Sequence, residues 1–176
     1  NIGCHIYLAL QELIAREIPP YEQAVITLGS FNSGNTCNQI PNTATLGATL
    51  RCANESIRLF LQERIRLVVE QTAKIYGGEA TVLFYSGTPS VYNDPEFTEN
   101  IMTISKKMLG NEWFKEETYA HASGEDISII SHLCPTCFIF LCAGSPEEGY
   151  VHSHHHPAIR FDENVMYIGT ALFVNT

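Results

Sequence analysis

The chain has 176 residues, enough for one ordinary domain or two small ones. Apolar residues make up 45% of it, as in a soluble core, but charged residues only 16%, below the ~25% of a typical domain, which favours large buried interfaces. The formal net charge of -9 argues against nucleic acid and anionic membranes as partners, because both require a basic face. No apolar run approaches the ~18 residues of a membrane-spanning helix. The sequence starts at Asn1 with neither a Met nor a secretory signal, which predicts a cut or processed chain.

The first half of the chain has the apolar periodicity of alternating helices and strands. The pattern predicts a helix over 2–16, strands over 24–30 and 43–52, a helix from its cap Asn54 to the stop at Gly77, and a strand over 80–86. The inward positions of the second helix would be Ile57, Leu61, Ile65, Val68 and Ile75. This order is one strand short of a βαββαβ sandwich, in which two helices cover a four-stranded antiparallel sheet.

A break rich in Gly, Pro and polar residues over 87–95 predicts a hinge between two domains, 1–86 and 87–176. The elements predicted beyond it are a helix capped by Asp94 and closed by Gly110, a turn over 123–126 leading to a short helix with Ile127, Ile130 and Leu133 inward, a buried parallel strand over 136–142, and a last helix capped by Asp162. Parallel strands carry their sites at the carboxyl edge, and a histidine cluster follows that edge here.

Six cysteines are scattered through apolar stretches, which predicts reduced, buried thiols, as in the cytoplasm, rather than a disulfide scaffold. Cys134 and Cys137 have the C-x-x-C spacing of a redox pair. Such a pair needs a helix after its first cysteine, whereas this sequence continues as a predicted strand. The two thiols are therefore interpreted as small hydrophobic groups.

Four of the seven histidines fall within residues 152–156. Neutral imidazole is a common zinc ligand, so the cluster indicates a metal site. An expression tag does not fit, because Ser153 interrupts the run and a helix start follows it. A solvated histidine-rich loop remains an alternative.

Three motifs in order give the cluster a context. They are Asn38-Gln-Ile-Pro-Asn42 with Leu46-Gly-Ala-Thr-Leu-Arg51, then Gly124-Glu-Asp-Ile-Ser128, then His155-His-Pro-Ala-Ile-Arg-Phe-Asp-Glu163 followed by Ile168-Gly-Thr-Ala171. Together they resemble the dinuclear-zinc aminoacylase and carboxypeptidase family. The branch they resemble contains hippurate hydrolase, indole-acetyl-amino-acid hydrolase and N-acetyl-diaminopimelate deacetylase. The resemblance covers essentially the whole chain, but only the C-terminal half of the family pattern.

The resemblance implies an α/β fold in two parts. Residues 1–86 would be a lid and dimerisation domain of two helices on an antiparallel sheet, without its first strand, which would lie just before Asn1. Residues 87–176 would be the last helices and strands of a mostly parallel-sheet zinc-peptidase domain. The expected assembly is a homodimer formed through the lid.

The resemblance also implies hydrolysis of the amide bond of N-acyl amino acids by two zinc ions, or manganese or nickel. The expected metal ligand is His155, two residues before Pro157, with His154 and His156 as alternatives. The general base and the bridging carboxylate belong to the half of the pattern that this chain does not match. This chain alone is therefore expected to be inactive and to hold at most one weak metal site.

The substrate contacts implied by the resemblance are Asn38, for the amide carbonyl, Arg51, for the α-carboxylate, and Gly124, through its backbone donors. An arginine fork suits a carboxylate. The alternatives are a surface arginine on a strand for Arg51 and a turn residue before Pro41 for Asn38. Glu125 and Asp126 are interpreted as helix-start residues rather than as catalytic acids. The competing hypothesis is a non-catalytic oligomerisation fragment.

Overall fold

The computed structural model describes residues 1–85, 87–113 and 124–176, which divide into two compact units. The first unit contains residues 1–91 and 124–132, and the second contains residues 92–113 and 133–176. Ser86, the end of the predicted strand, and Ser123, the start of the predicted turn, lie outside the described residues.

Two helices form one layer of the first unit. Helix α1 spans Ile2–Glu12 and continues through one wider, π-helical turn, Leu13–Glu17. Helix α2 spans Glu55–Ile75, and its predicted cap is confirmed, because Asn54 Oδ1 accepts a hydrogen bond of 3.0 Å from the Ser56 N–H.

The end of α2 confirms the predicted stop at the Gly77-Gly78 pair. Gly77 has φ 75°, the left-handed conformation that glycine adopts without a steric penalty. The Gly78 N–H then bonds Ala73 C=O at 2.9 Å, and the Gly77 N–H bonds Lys74 C=O at 3.0 Å. These are the two bonds of a Schellman motif, which satisfies the last carbonyl groups of the helix.

The other layer is a hairpin of two antiparallel strands, β1 (Ala24–Asn32) and β2 (Thr45–Cys52). Ala24 lies opposite Cys52, and Asn32 lies opposite Thr45. The register shifts once, between Leu28 and Ser30, so that the intervening glycine forms a bulge. Both strands were predicted from the sequence, and both are confirmed.

The core of the first unit lies where α1 and α2 pack on one face of the hairpin. Its buried members are Ile6, Leu10, Leu13, Ile18, Cys52, Leu61, Ile65, Val69 and Ala73. The predicted inward position of Ile75 is wrong, since this side chain is 77% exposed. The buried stripe advances along α2 in four-residue steps, and each step rotates it by about 40° around the helix. The stripe has therefore turned away from Ile75 by the last turn of α2.

Residues 78–85 do not form the predicted strand. They run without helix, turn or bend, and no described segment pairs with them in a ladder. Ala80 and Val82 pack against the core, while Thr81 and Leu83 are exposed. This alternation is that of a strand, but a strand also requires a hydrogen-bonded neighbour.

The short helix α4 (Ile127–Ser131) also belongs to the first unit, and its predicted inward face is wrong. Ser128 and Ser131 are buried, whereas Ile130 is 48% and Leu133 81% exposed. The Ser131 hydroxyl donates to Ser128 C=O at 2.8 Å. A serine that bonds back to its own helix satisfies its hydroxyl, so the helix can bury this small polar face.

The second unit contains helices α3 (Pro95–Leu109) and α5 (Met166–Asn175), which contact each other. The caps of α3 are confirmed, because Asp94 Oδ1 accepts from the Phe97 N–H at 2.8 Å and Gly110 follows the helix with φ 84°. Asp162 caps a single 3₁₀ turn, Glu163–Val165, that leads into α5.

The predicted buried strand over 136–142 is absent from the described part of the second unit. No described segment pairs with it, and Ile139, Phe140 and Leu141 are 44%, 55% and 43% exposed. The backbone of Phe138 is instead bound by Asn93, whose Oδ1 accepts a hydrogen bond of 2.8 Å from the Phe138 N–H. Among the described residues, no helix is both long and apolar enough to cross a membrane.

The core predicts a clear contrast between two leucines of α2. Leu61 is fully buried, whereas Leu59 is 50% exposed on the same helix. Leu61→Ala should lower the free energy of unfolding by about 2–5 kcal/mol, because it leaves a cavity in the packed core. Leu59→Ala should cost less than about 1 kcal/mol. Urea unfolding followed by the helical circular dichroism signal measures both, and equal losses would contradict the packing described here.

Candidate functional site

Asn38 lies at the tip of the long loop between β1 and β2. The loop continues the hairpin, because the Ser33 hydroxyl donates to Thr43 C=O at 2.9 Å and a Cβ at Gly34 would lie 3.5 Å from Pro41 Cγ. Asn38 is exposed, and its Oδ1 accepts a hydrogen bond from the Thr36 hydroxyl. Its Nδ2 group has no partner among the described residues, so it can donate to a carbonyl oxygen.

Arg51 is the penultimate residue of β2, opposite Val25. It is exposed, and its alternation with the buried Cys52 places it on the face of the hairpin away from the helices. The guanidinium forms no hydrogen bond or ion pair with a described residue. Its donor fork can therefore bind a carboxylate.

The structure does not bring Asn38 and Arg51 together within one chain. Six residue steps separate Thr45 from Arg51 along β2, which at ~3.3 Å per residue is about 20 Å. Asn38 lies beyond the Thr45 end of this strand, at the loop tip. The two candidate substrate contacts therefore occupy opposite ends of the hairpin.

Gly124 is exposed at the start of the segment that leads into α4. A Cβ at this position would lie 3.0 Å from the Thr88 hydroxyl, which favours glycine here. The segment is held by Ser90, whose carbonyl oxygen accepts a hydrogen bond of 2.8 Å from His132 Nε2 just after α4.

Ser90 makes two further contacts, and we call the group Cys52, Glu55, Arg58, Ser90 and His132 the Ser90 junction. The Ser90 hydroxyl donates to Cys52 C=O and the Ser90 N–H donates to the Glu55 carboxylate, both at 2.9 Å. Ser90 is only 6% exposed, so these bonds are shielded from water. The junction ties the end of β2, next to Arg51, to the start of α2 and to the segment after α4.

Charge stabilises the Ser90 junction. Arg58 binds the Glu55 carboxylate through both oxygens, at 2.8 and 2.5 Å. The hydrogen bond from Arg58 lowers the pKa of Glu55, with smaller help from the Ser90 N–H, while burial opposes this shift. Burial raises the pKa of the Cys52 thiol to about 11, so this thiol stays protonated and is not a nucleophile.

His155 differs from its neighbours in backbone conformation. Its φ is 68°, and among the described residues it is the one non-glycine residue with positive φ. The His156 N–H bonds Ser153 C=O at 3.2 Å, so His155 is the third residue of a β-turn, a position that normally favours Gly or Asn at such a φ. A side chain held in this conformation is strained, and such strain clusters at functional sites.

The rings of the other three histidines have partners. His152 and His156 stack in parallel with their centroids 4.0 Å apart, and His156 Nδ1 accepts from the Ala158 N–H at 3.1 Å. His154 lies edge-on to Phe161 at 5.8 Å. The His155 ring contacts no described partner, which leaves both of its nitrogens open to a ligand.

The histidine cluster does not form a metal centre by itself. Among the described residues, no three His, Cys, Asp or Glu side chains are arranged to hold a metal ion. The donor chemistry of His155 suits zinc, but it supplies one ligand where a protein zinc site uses three or four. The residues after Cys134 form no helix, so the C-x-x-C pair lacks the helix that would activate it. The predicted burial of the thiols is wrong for all but Cys52, since Cys134 and three others are exposed and Cys137 is half-buried.

Sequence reasoning missed the Ser90 junction. The bonds that Ser90 makes join residues 35 to 42 positions apart, which no local pattern reveals. The one readable signal was the pair Glu55 and Arg58, three residues apart at a capped helix start.

The fold matches that of metal-binding peptidases and related hydrolases. A crystal structure from methicillin-resistant Staphylococcus aureus, described as an aminohydrolase, matches 98% of this chain and 44% of its own, with a TM-score of 0.85 and 26% identity. The YXEP protein of Bacillus subtilis, a dinuclear metal binding peptidase from the M20 family, has the same fold. It covers 99% of this chain and 44% of its own, with a TM-score of 0.77 and 24% identity.

The sequence model of peptidase family M20/M25/M40 matches residues 3–176, and the chain belongs to this family. IAA-amino acid hydrolase ILR1-like 2 of Arabidopsis thaliana is 32% identical over 171 residues, which are 95% of this chain and 38% of the relative. N-acetyl-L-cysteine deacetylase of Bacillus subtilis is 28% identical over 161 residues, 92% of this chain and 37% of the relative. The chain thus spans less than half the length of these relatives, and the family resemblance of its motifs is confirmed.

The lowered pKa of Glu55 predicts a pH-dependent stability. A glutamate in an unfolded chain has a pKa of ~4.3, so near that pH the unfolded state binds more protons than the folded one. The carboxylate therefore stabilises the fold above this range, and the contribution is lost as the pH falls through the folded pKa. Glu55→Gln should unfold about 1–2 kcal/mol more easily at pH 7, and the difference should shrink below about pH 4.

Urea midpoints at pH 7 and below pH 4 test this, with Glu63→Gln as the matched control, since Glu63 is exposed on the same helix. A difference between wild type and Glu55→Gln that is independent of pH would show that the Glu55 charge does not stabilise the junction.

The strained turn predicts that substitution by glycine changes stability differently at two neighbouring histidines. His155→Gly should raise stability by about 0.5–1 kcal/mol, because glycine adopts positive φ freely. His154→Gly should give no gain, since His154 does not have positive φ. Melting temperatures of the two variants decide the matter, and a loss for both would mean that His155 carries no strain.

Proposed function

We propose that this chain forms the C-terminal part of a metal-dependent amidohydrolase that cleaves the amide bond of N-acyl amino acids. The observation that carries the proposal is the family match over residues 3–176. It is supported by two relatives, an IAA-amino acid hydrolase and an N-acetyl-L-cysteine deacetylase. Residues 1–86 would act as the lid and dimerisation domain, and residues 87–176 as part of the catalytic domain.

Each candidate residue has a role that suits its chemistry. Arg51 would bind the α-carboxylate of the substrate through its two-pronged guanidinium. Asn38 would donate its free amide to the scissile carbonyl, and Gly124 would offer its backbone N–H beside the carboxylate. All three are exposed in the first unit, so a small substrate can reach them.

His155 would hold one of two metal ions, zinc or else manganese or nickel, with His154 and His156 as alternative ligands. When bound, the metal pair supplies an activated water and polarises the amide carbonyl. The unpartnered ring of His155 favours it over His156, whose Nδ1 already accepts a hydrogen bond. Because no three possible ligands come together among the described residues, we expect this chain alone to bind zinc weakly and to be inactive.

The hairpin geometry supports a homodimer as the working form. An N-acyl amino acid is about two peptide units long, roughly 7 Å, and cannot bridge the ~20 Å of strand between the loop and Arg51. If both residues bind one substrate, Arg51 comes from one copy and Asn38 from the other. The substrate site would then be complete only in the dimer.

Mixed dimers of the complete enzyme test this proposal. Asn38→Ala and Arg51→Ala should each lower kcat/KM for N-acetyl amino acids on the order of 10²-fold, because each removes a hydrogen bond to a polar substrate group. Mixing the two variants should restore about one quarter of wild-type activity, since half of the random dimers are mixed and each carries one intact site. A chelator should abolish all of this activity.

The matched control mixes Asn38→Ala with the double variant Asn38→Ala, Arg51→Ala, which cannot form an intact site in any pairing. Restoration in this control, or none in the test mixture, would contradict the shared site. Wild-type enzyme that releases no amino acid from N-acetyl or N-benzoyl substrates would overturn the hydrolase proposal itself.

The alternative is a non-catalytic oligomerisation fragment, favoured by the exposed apolar side chains of α5. Met166, Tyr167, Phe173 and Val174 are 66% to 88% exposed in the described chain. Apolar side chains concentrated in this way indicate a covering partner. A monomer in light scattering at high concentration would remove this support. The scatter of the six cysteines through apolar stretches favours a reducing location, and we propose the cytoplasm.

A further inference from the structure

The backbone at the end of β2 is held along both edges of the strand. On the edge that faces β1, the Ala53 N–H donates to Gln23 C=O at 3.0 Å. Neighbouring residues of an antiparallel strand direct their backbone groups to opposite edges, so the C=O of Cys52 points away from β1. The Ser90 hydroxyl donates to this carbonyl oxygen at 2.9 Å. Ser90 thus takes the place of a neighbouring strand at the end of β2.

Arg51 depends on this arrangement, because it directly precedes Cys52 in β2. Its exposed guanidinium forms no hydrogen bond or ion pair with a described residue, so the backbone of β2 is what sets its position. Two parallel hydrogen bonds to a carboxylate require a fixed geometry. A strand end that moved freely would have to be ordered when the substrate binds, and this ordering would weaken binding.

Ser90 itself is firmly placed in the Ser90 junction. Its N–H donates to the Glu55 carboxylate at 2.9 Å, and its carbonyl oxygen accepts from His132 Nε2 at 2.8 Å. With the bond to Cys52, all three polar groups of Ser90 have partners. The residue is only 6% exposed, so water competes little for these bonds.

The segment around Ser90 also contacts both ends of residues 124–132. His132 is bound by the Ser90 carbonyl oxygen, and a Cβ at Gly124 would lie 3.0 Å from the hydroxyl of Thr88, two residues before Ser90. Residues 88–90 therefore connect the end of β2 to the segment that begins at Gly124.

We propose that Ser90 is a positioning residue for substrate binding. Through its hydroxyl it holds the Arg51 end of β2, and through its carbonyl oxygen it holds the segment that begins at Gly124. The two groups assigned to the α-carboxylate of the substrate are thereby preassembled within one copy of the chain. The inference rests on the proposed hydrolase function, because Ser90 acts through Arg51.

The test measures kcat and KM of the complete enzyme for an N-acetyl amino acid. Ser90→Ala should raise KM on the order of tenfold and leave kcat within about twofold, because the carboxylate contact is made equally in the ground state and the transition state. In an Arg51→Ala background, the same substitution should change kcat/KM by less than about twofold, since the residue it positions is gone. A merely structural loss would lower kcat/KM by the same factor in both backgrounds.

The matched control is Ser105→Ala. Ser105 is 2% exposed in α3 of the second unit, and its hydroxyl donates to Ile101 C=O at 2.7 Å. This variant also removes one buried hydroxyl group but should leave KM unchanged. Melting curves followed by circular dichroism establish that each variant is folded under the assay conditions.

His132→Phe tests the connection from its other side and carries the test if Ser90→Ala does not fold. His132 is an exposed residue, so the substitution leaves the core intact while it removes the bond to the Ser90 carbonyl oxygen. KM should rise about threefold or more.

Four results would overturn the inference alone. They are an unchanged KM in folded Ser90→Ala, an unchanged KM in His132→Phe, an equal loss of kcat/KM in both backgrounds, and a rise in KM for Ser105→Ala as large as that for Ser90→Ala. Wild-type enzyme that cleaves no N-acetyl amino acid would instead contradict the hydrolase proposal, and the inference with it.

Discussion

The packing of α2 against α1 and one face of the hairpin is the constraint on which the first unit depends. Leu61, with no exposed surface, lies at the centre of this contact, and Cys52, at the end of β2, is buried in the same core. Because residues alternate along a strand, the burial of Cys52 turns the preceding Arg51 outward. The Ser90 junction then fixes the carbonyl of Cys52 and the first turn of α2. The position of a candidate substrate contact thus follows from core burial and one shielded hydrogen-bond group.

The features that the sequence predicted well are those decided locally. Asn54 and Asp94 cap their helices because each side chain bonds an N–H two or three residues further on. The predicted strands over 80–86 and 136–142 are absent from the described residues, because a strand also needs a neighbour, which no local pattern supplies. The predicted inward face of α4 was wrong for a related reason. Its serines are buried by tertiary packing, which overrides the apolar pattern of its isoleucines.

The candidate site also combines features that local motifs suggest with features that only the structure provides. The motif around Pro157 predicted His155 as a candidate ligand, and the structure distinguishes this residue from its neighbours by its positive φ and its unpartnered ring, without testing the role. The roles of Asn38 and Arg51 came from motifs, but their separation along the hairpin could be known only from the strand register. Glu55, Ser90 and His132 meet through contacts that are distant in sequence, so their grouping required the structure. Candidate residues could thus be named from motifs, whereas the distances between them could not.

The hairpin sets the geometry of the proposed substrate site. Its loop end carries Asn38, and its other end carries Arg51 opposite Val25. The reach of Asn38 toward a second copy depends on the direction of this hairpin, since the loop base continues the two strands. A site shared between two copies would therefore depend on the hairpin holding its two ends apart.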